Sequence, residues 1–173
     1  MARAKKQIAK RAAAREDRGG DRVVATNRRA RREYEFLETF EAGIVLQGSE
    51  VKSLRQGKAQ LNEAYARVDD GELWLFQMHI PPWQYGSGFG AHDPDRKRKL
   101  LVHRAQIDEL MGQTQQQSLT IIPASLYFRD GKAKVELALA KGRRLYDKRN
   151  LLKARDAEQE AARAAKEVGH WAG

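Results

Sequence analysis

Two Asp-Gly pairs, each between two runs of apolar and β-branched residues, constrain the fold of this chain more than any other feature. Asp70-Gly71 and Asp130-Gly131 suit the tight turn that joins neighbouring antiparallel strands, because both residue types accept the backbone angles of that turn. The runs that flank the two turns are residues 61–68, 73–80, 119–128 and 133–140. The sequence therefore predicts two β-hairpins.

Further segments complete the predicted fold. They are a strand-like stretch at 34–46 in which Gly43 marks a bulge or bend, helical stretches at 48–56 and 103–112, and a long loop up to Pro94. Five or six strands with tight hairpins and a short helix between the halves favour a small closed barrel. We expect a mainly β protein, an OB-fold-like antiparallel β-barrel with about three flanking short helices.

Positive charge lies at the two ends of the chain. Residues 1–32 carry 12 Lys and Arg against 3 Asp and Glu, and residues 141–173 carry 9 against 5, whereas residues 33–140 carry 12 against 15. Charge acts over only about 10 Å at moderate salt, so clustered base creates a local field for a polyanion. Nucleic acid is the leading partner class, and an anionic membrane surface is the alternative.

Composition favours one domain with appendages among the 173 residues. We predict a disordered basic arm at 1–24, an OB-like RNA-binding barrel at 25–145 and a C-terminal tail at 146–173, because the arm has too few apolar residues to fold alone. The chain has no cysteine, no apolar run that could span a membrane and no secretory signal. These features predict a cytoplasmic protein without disulfides or zinc–thiolate sites.

No catalytic constellation stands out. A phosphate-binding loop is absent, since Gly57-Lys58 is followed by Ala59, and the four histidines are not spaced as metal ligands. His92-Asp93 resembles an acid and base pair only superficially, because adjacent loop residues more often bond the local backbone. We expect neither enzymatic activity nor a metal or cofactor.

Three basic motifs lie near the ends of predicted strands, at residues 27–32, 95–101 and 141–149. Arginine in such clusters can bridge two phosphate oxygens, and nearby aromatic rings can stack on unpaired bases. The aromatic candidates are Trp83, Tyr85, Phe89 and Tyr146. The same rings are equally compatible with a buried core.

Several motifs follow one another in a distinctive order: Glu41-Ala42-Gly43-Ile44, residues 47–55, His92-Asp93-Pro94, Arg98-Lys99-Leu100-Leu101 and Asp147-Lys148-Arg149. In this order they resemble the bacterial small protein B family, the SsrA-binding proteins. The resemblance covers about residues 25–150. This sequence departs from the family pattern at Ala91, where a polar residue is usual, and at 113–118, where a glycine is usual.

The resemblance implies binding to transfer-messenger RNA (SsrA RNA) at its transfer-RNA-like domain and its delivery to stalled ribosomes for trans-translation. The barrel would replace the anticodon stem, and the tail would enter the decoding centre and the empty message channel. Elongation factor Tu and alanyl-tRNA synthetase would be indirect partners through the RNA. We expect a monomer.

Matching positions give the expected site. The RNA-binding residues would be Asn27, Arg28, Arg29, Arg31, Glu41, Lys99, Leu101, Lys134, Lys141, Gly142, Arg143 and Arg144. The ribosome-binding tail would begin with Tyr146, Asp147, Lys148, Arg149, Lys153 and Arg155. Without the resemblance, Glu41 would be interpreted as a surface glutamate and Leu101 as a core residue. Glu41 could accept from base amino groups or orient a neighbouring arginine.

The tail is rich in Ala, Arg and Glu, with oppositely charged pairs at helical spacing such as Arg155 and Glu158. Each such pair contributes only about 0.2–0.5 kcal/mol, so a lone helix of this length is marginal in water. We predict disorder in the free protein and a helix on the ribosome. The alternative functions are a generic RNA-binding or ribosome-assembly protein and a DNA-binding OB module.

Overall fold

The computed structural model describes residues 21–83, 91–143 and 145–170, with side chains omitted at 145–148 and 165–170. Within these residues there are seven strands: β1 Arg22–Thr26, β2 Tyr34–Ile44, β3 Tyr65–Asp69, β4 Glu72–Phe76, β5 Arg98–Leu101, β6 Thr120–Arg129 and β7 Lys132–Gly142. The helices are α1 Arg28–Glu33, α2 Gly48–Arg55, α3 Arg104–Gln117 and α4 Leu145–His170. The mainly β fold expected from the sequence is confirmed.

The strands close into a ring. Their order is β1-β6-β3-β4-β5-β2-β7, and β7 pairs back onto β6. The first half of β6 pairs with β3 through Ile121, and its second half pairs with β1, while β7 runs along the other side. A register shift after Pro123 separates the two halves, as expected where a bulge bends a strand. The closed sheet is an OB-like barrel.

Both predicted hairpins are present, with shorter strands in the first. Asp70, Gly71, Asp130 and Gly131 all have positive φ angles between 50° and 74°, the conformation that the two Asp-Gly pairs predict. In the first hairpin the strands cover only 65–69 and 72–76, although the flanking apolar side chains are still buried. The largest fully buried apolar side chains are Leu54, Leu61, Leu73, Leu75, Met78, Ile80, Leu100, Ile121, Leu126 and Leu137.

Three local expectations need correction. β1 begins at Arg22, so residues 22–24 belong to the sheet and not to the predicted arm; residues 1–20 lie outside the described part of the chain. α3 continues to Gln117, beyond the predicted end at 112, and Ser118 adopts the left-handed conformation that ends it. Gly43 does not mark a bulge, because it pairs regularly with Lys134 and Leu101 on its two sides.

A buried ion-pair network fastens α2 to the start of β5 and to the residues just before it. The Glu50 carboxylate accepts from Arg98 Nε at 2.8 Å and from Arg96 Nη2 at 2.6 Å, and Glu50 and Arg98 are fully buried. Arg98 also donates to the carbonyl oxygens of Met78 and Pro94, at 2.6 and 3.0 Å. Glu50 and Arg98 therefore both have hydrogen-bond partners inside the protein, as buried charges require.

His92 belongs to the same structural region. Its Nε2 lies 2.9 Å from the carbonyl oxygen of Ile80, and its Nδ1 lies 2.9 Å from Ser49 Oγ. The imidazole is buried. Through its contact with Ser49 it joins α2 to the chain before β5. This placement agrees with a structural histidine.

Candidate nucleic-acid interface

Most of the expected RNA-binding residues that the structure describes lie near one of two points along the β2–β7 pair. Glu41 faces Glu136 across the ladder, whereas Tyr34 faces Gly142 at the other end. Seven residues of strand separate these points, or about 24 Å. We call the first group the hairpin cluster, which consists of Asp21, Glu41, Leu101, Tyr127, Arg129 and Lys134. We call the second the helix cluster, which consists of Arg28, Arg29, Arg31, Lys141 and Arg143.

Glu41 is the centre of the hairpin cluster. Its carboxylate accepts hydrogen bonds from the Tyr127 hydroxyl and from Arg129 Nη1, and Lys134 Nζ lies 3.8 Å away. Lys134 comes from β7, which pairs with β2, and Tyr127 and Arg129 come from β6, the next strand beyond β7. The acid therefore orients a neighbouring arginine, which is one of the two roles considered from the sequence.

Arg129 is held from two sides. Its Nε and Nη2 donate to the Asp21 carboxylate at 3.0 and 2.6 Å, and its Nη1 donates to Glu41. The Asp21 hydrogen bond and the nearby Glu41 charge raise the pKa of Arg129, so the guanidinium stays charged. Burial and the hydrogen bond to Glu41 raise the pKa of Tyr127, so that phenol remains a neutral donor. The cluster therefore holds two basic side chains, Arg129 and Lys134, against two carboxylates, Asp21 and Glu41.

Leu101 lies on the surface of the hairpin cluster. It is 53% exposed, while its neighbour Leu100 is 1% exposed and enters the core. The pattern-based assignment of Leu101 to the core was therefore wrong. A Cβ atom at Gly43 would lie 3.3 Å from the Leu101 Cβ, so the glycine leaves room for this leucine on the outer face.

Asn27 is fully buried, which corrects the expectation that its side chain faces RNA. Its Nδ2 donates to the carbonyl oxygens of Leu61 and Pro123 at 2.9 and 3.1 Å, and its Oδ1 accepts from the Ala30 amide at 3.0 Å. It caps α1 and joins that helix to two other parts of the barrel. The cap fixes the position of the arginines that follow it in α1.

Neighbouring carboxylates neutralise part of the positive charge of the helix cluster. Arg29 forms ion pairs with Glu33 and Glu63. Arg28, Lys141 and Gly142 are exposed, whereas Arg31 and Arg143 are half-buried. The backbone amide of Arg143 donates to the Glu33 carbonyl oxygen at 2.9 Å, which joins the end of β7 to α1. Arg144 lies outside the described residues.

Lys99 belongs to neither cluster. It pairs with Trp74 across the β4–β5 ladder, and its Nζ lies 2.5 Å from the carboxylate of Glu72. Among the aromatic candidates, Trp83 is half-buried, while Tyr85 and Phe89 lie outside the described residues. The predicted RNA-binding set is therefore only partly brought together by the fold.

The tail is a helix that starts near the helix cluster. α1 lies in contact with α4, and every described side chain of α4, from 149 to 164, is exposed. Arg149, Lys153 and Arg155 are among these exposed residues, whereas the side chains of Tyr146, Asp147 and Lys148 lie outside the described set. The tail contributes no described side chain to the core. Its predicted disorder in the free protein remains a prediction.

Comparison with known proteins gives the family. The family model described as SmpB protein matches residues 24–167. The chain belongs to the SmpB family. It is 56% identical over 150 residues to the SsrA-binding protein of Mycobacterium leprae (strain Br4923), covering 87% of this chain and 93% of that one. It is 55% identical over 146 residues to the SsrA-binding protein of Desulforudis audaxviator (strain MP104C), covering 84% and 95%.

A solved SmpB structure has a similar fold. Its description reads "tmRNA-SmpB: a journey to the center of the bacterial ribosome", and the chain is 47% identical to this one with a TM-score of 0.60. The match covers 74% of this chain and 93% of that chain. No helix within the described residues has the length and apolar character needed to cross a membrane. The same residues contain no group of three or more His, Asp and Glu side chains arranged for a metal ion.

Three members of the hairpin cluster were not predicted from the sequence: Asp21, Tyr127 and Arg129. A signal for two of them was present, because Tyr127 and Arg129 lie two residues apart in a predicted strand and so share a face. The Asp130-Gly131 turn also pairs Tyr127 with Lys134, as the register shows. Asp21 had no comparable signal, since 108 residues separate it from Arg129.

We predict that Asn27→Ala lowers the free energy of unfolding by about 2–3 kcal/mol, because it removes a helix cap and the two buried hydrogen bonds that Nδ2 donates to the carbonyl oxygens of Leu61 and Pro123. Denaturant unfolding followed by circular dichroism measures this loss. Thr39→Ala, a half-buried change on β2, is the control. Full stability combined with lost RNA affinity would contradict the structural role and favour direct contact.

Proposed function

We propose that this member of the SmpB family binds transfer-messenger RNA at its transfer-RNA-like domain and brings it to stalled ribosomes for trans-translation. The observation that carries the proposal is the hairpin cluster: Arg129 and Lys134 lie beside an anchored Glu41 and the exposed Leu101. The names of the SmpB relatives and of the solved structure support the same RNA as partner.

The chemistry of the cluster suits folded RNA. Charged guanidinium and ammonium groups donate strong hydrogen bonds to phosphate oxygens. Those contacts position an RNA without selecting its sequence, while an unstacked base can meet an apolar side chain and a fixed acceptor. Leu101 and Glu41 supply these two features on one surface. The arrangement favours a looped RNA region, such as the elbow of a transfer-RNA-like structure, over a regular duplex.

The tail and the helix cluster complete the proposed division of labour. They lie at the end of the β2–β7 pair that is about 24 Å from Glu41, so one protein can contact two RNA surfaces at once. In this proposal the barrel takes the place of the anticodon stem, and the tail from Asp147-Lys148-Arg149 enters the decoding centre and the message channel. The protein acts as a monomeric, non-enzymatic binding factor. Elongation factor Tu and alanyl-tRNA synthetase reach the complex through the RNA.

Binding to the transfer-RNA-like domain in the presence of excess ordinary transfer RNA tests this proposal. Glu41→Gln should weaken binding about tenfold, because Arg129 loses a charged partner that fixes its orientation. Glu38→Gln, an exposed change on the same strand, should leave the dissociation constant unchanged within about twofold.

A generic basic surface predicts the opposite sign for Glu41→Gln, because removing a negative charge reduces repulsion from phosphate. It also predicts equal competition by ordinary transfer RNA and a collapse of binding with salt. Tighter binding by Glu41→Gln together with no RNA preference would reject the proposed function. That result would leave a general RNA-binding or ribosome-assembly protein.

A further inference from the structure

Arg129 meets its two carboxylate partners in different ways. Glu41 takes one donor, Nη1, whereas Asp21 takes the edge formed by Nε and Nη2, at 3.0 and 2.6 Å. That two-donor edge is the part of a guanidinium that binds phosphate or carboxylate with two parallel hydrogen bonds. Asp21 therefore occupies the position on Arg129 that an RNA phosphate would take.

The two acids also differ in their place in the sheet. Glu41 lies in β2, which has partners on both sides, and Tyr127 and Lys134 secure its carboxylate. Asp21 precedes β1, which among the described strands pairs with β6 alone and forms the edge of the sheet. The Asp21 side chain is 17% exposed and that of Arg129 is 37% exposed, so the pair borders solvent without being fully open to it.

From this asymmetry, and resting on the proposed function, we propose that Asp21 is an intramolecular competitor of RNA. It closes the two-donor edge of Arg129 in the free protein, and an RNA phosphate displaces it on binding. Glu41 keeps the guanidinium in place during the exchange. Arg129 is then a phosphate-contacting residue of the hairpin cluster, and Asp21 lowers the affinity of that contact.

Variants of Asp21 and Arg129 should change RNA affinity in opposite directions, which tests this proposal. Asp21→Asn should tighten binding of the full chain to the transfer-RNA-like domain by about two- to fivefold. In the wild type the phosphate must first break the Asp21–Arg129 ion pair, and breaking an ion pair near solvent costs about that factor in affinity. Arg129→Gln should weaken binding and reduce the slope of log affinity against log salt by about one. In the Arg129→Gln background, Asp21→Asn should have no further effect, because the group for which it competes is gone.

Matched controls lie on the same hairpin. Asp130→Asn removes a negative charge next to Arg129 at an exposed turn position whose φ of 50° suits asparagine. Lys132→Gln removes a positive charge from the residue that pairs with Arg129 across the turn. Each control should change affinity less than its partner variant. Thermal unfolding of every variant identifies any effect that comes from loss of fold.

The outcomes separate this proposal from the proposed function. Tightening by Asp21→Asn that disappears with Arg129→Gln supports competition. Unchanged or weaker binding by a folded Asp21→Asn protein, or tightening that persists without Arg129, overturns it. The proposed function depends instead on preference of the wild-type chain for the transfer-RNA-like domain over ordinary transfer RNA. That preference is measured in the same titrations and can fail independently.

Discussion

Replacing Glu50 by glutamine should lower the free energy of unfolding by about 3–5 kcal/mol, the largest stability loss we expect from a single side chain. The change leaves Arg98, which is fully buried, without a counter-charge. It also weakens the contact with Arg96 at 2.6 Å, which joins α2 to the segment before β5. Denaturant unfolding monitored by circular dichroism measures the loss.

Glu72→Gln is the matched control, because Glu72 forms an ion pair with Lys99 near the surface of the same sheet. The two side chains are 43% and 38% exposed, so this pair should contribute less than about 1 kcal/mol. A similar loss in both variants would contradict the central role of the buried network. A loss confined to Glu50→Gln would support it.

The same network predicts the direction of acid sensitivity. Burial by itself raises the pKa of Glu50, but hydrogen bonds from Arg96 and the Gln47 amide, with the Arg98 charge, lower it overall. A carboxylate whose pKa is lower in the folded state stabilises the protein above its unfolded pKa. The stabilisation that Glu50 contributes is lost as the pH falls from the unfolded-state pKa of glutamate to the lower pKa of Glu50 in the folded protein. Below about pH 4.5, the wild type should therefore lose stability more steeply than Glu50→Gln.

Removal of residues 145–173 should separate RNA binding from ribosome binding. The described side chains of α4 from 149 to 164 are exposed, so the barrel should keep its stability and bind the transfer-RNA-like domain within about twofold of the full chain. Delivery of transfer-messenger RNA to stalled ribosomes should be lost, because the segment proposed to enter the decoding centre is gone. Titration and cosedimentation with stalled ribosomes measure the two properties.

A substitution distinguishes the basic side chains of the tail from its presence alone. Replacing Lys153 and Arg155 by glutamine keeps the helix-forming composition and removes two exposed charges. This variant should retain RNA binding and lose part of the ribosome association. Wild-type delivery by the truncated protein would contradict the proposed role of the tail.

Local signals predicted most of the fold. The Asp-Gly turns predicted both hairpins because the conformation of such a turn depends on the residues within it. The helix at 48–55 was similarly visible from Val51, Leu54 and the following Gly57. Closure of the barrel depends on pairing between β2 and β7, which are about 100 residues apart, and was inferred from the number of strands.

The candidate site was less predictable because its contacts join distant parts of the chain. Tyr127 and Arg129 meet Glu41 across 86 and 88 residues, so no spacing rule connects them. Leu100 and Leu101 are identical in type, and only the register opposite Gly43 decides which one faces outward. Asn27 precedes a short, arginine-rich helix whose start is not evident from the sequence. The burial of Asn27 follows from its contacts with Leu61 and Pro123, which are distant in the chain.

The most direct test of the account is peptide transfer in a reconstituted translation system. Ribosomes are stalled on a message without a stop codon and supplied with alanine-charged transfer-messenger RNA and elongation factor Tu, with or without this protein. The account predicts that the nascent peptide moves onto transfer-messenger RNA only when the full chain is present. Equal transfer without the protein, or no transfer with a folded, RNA-binding full chain, would contradict it.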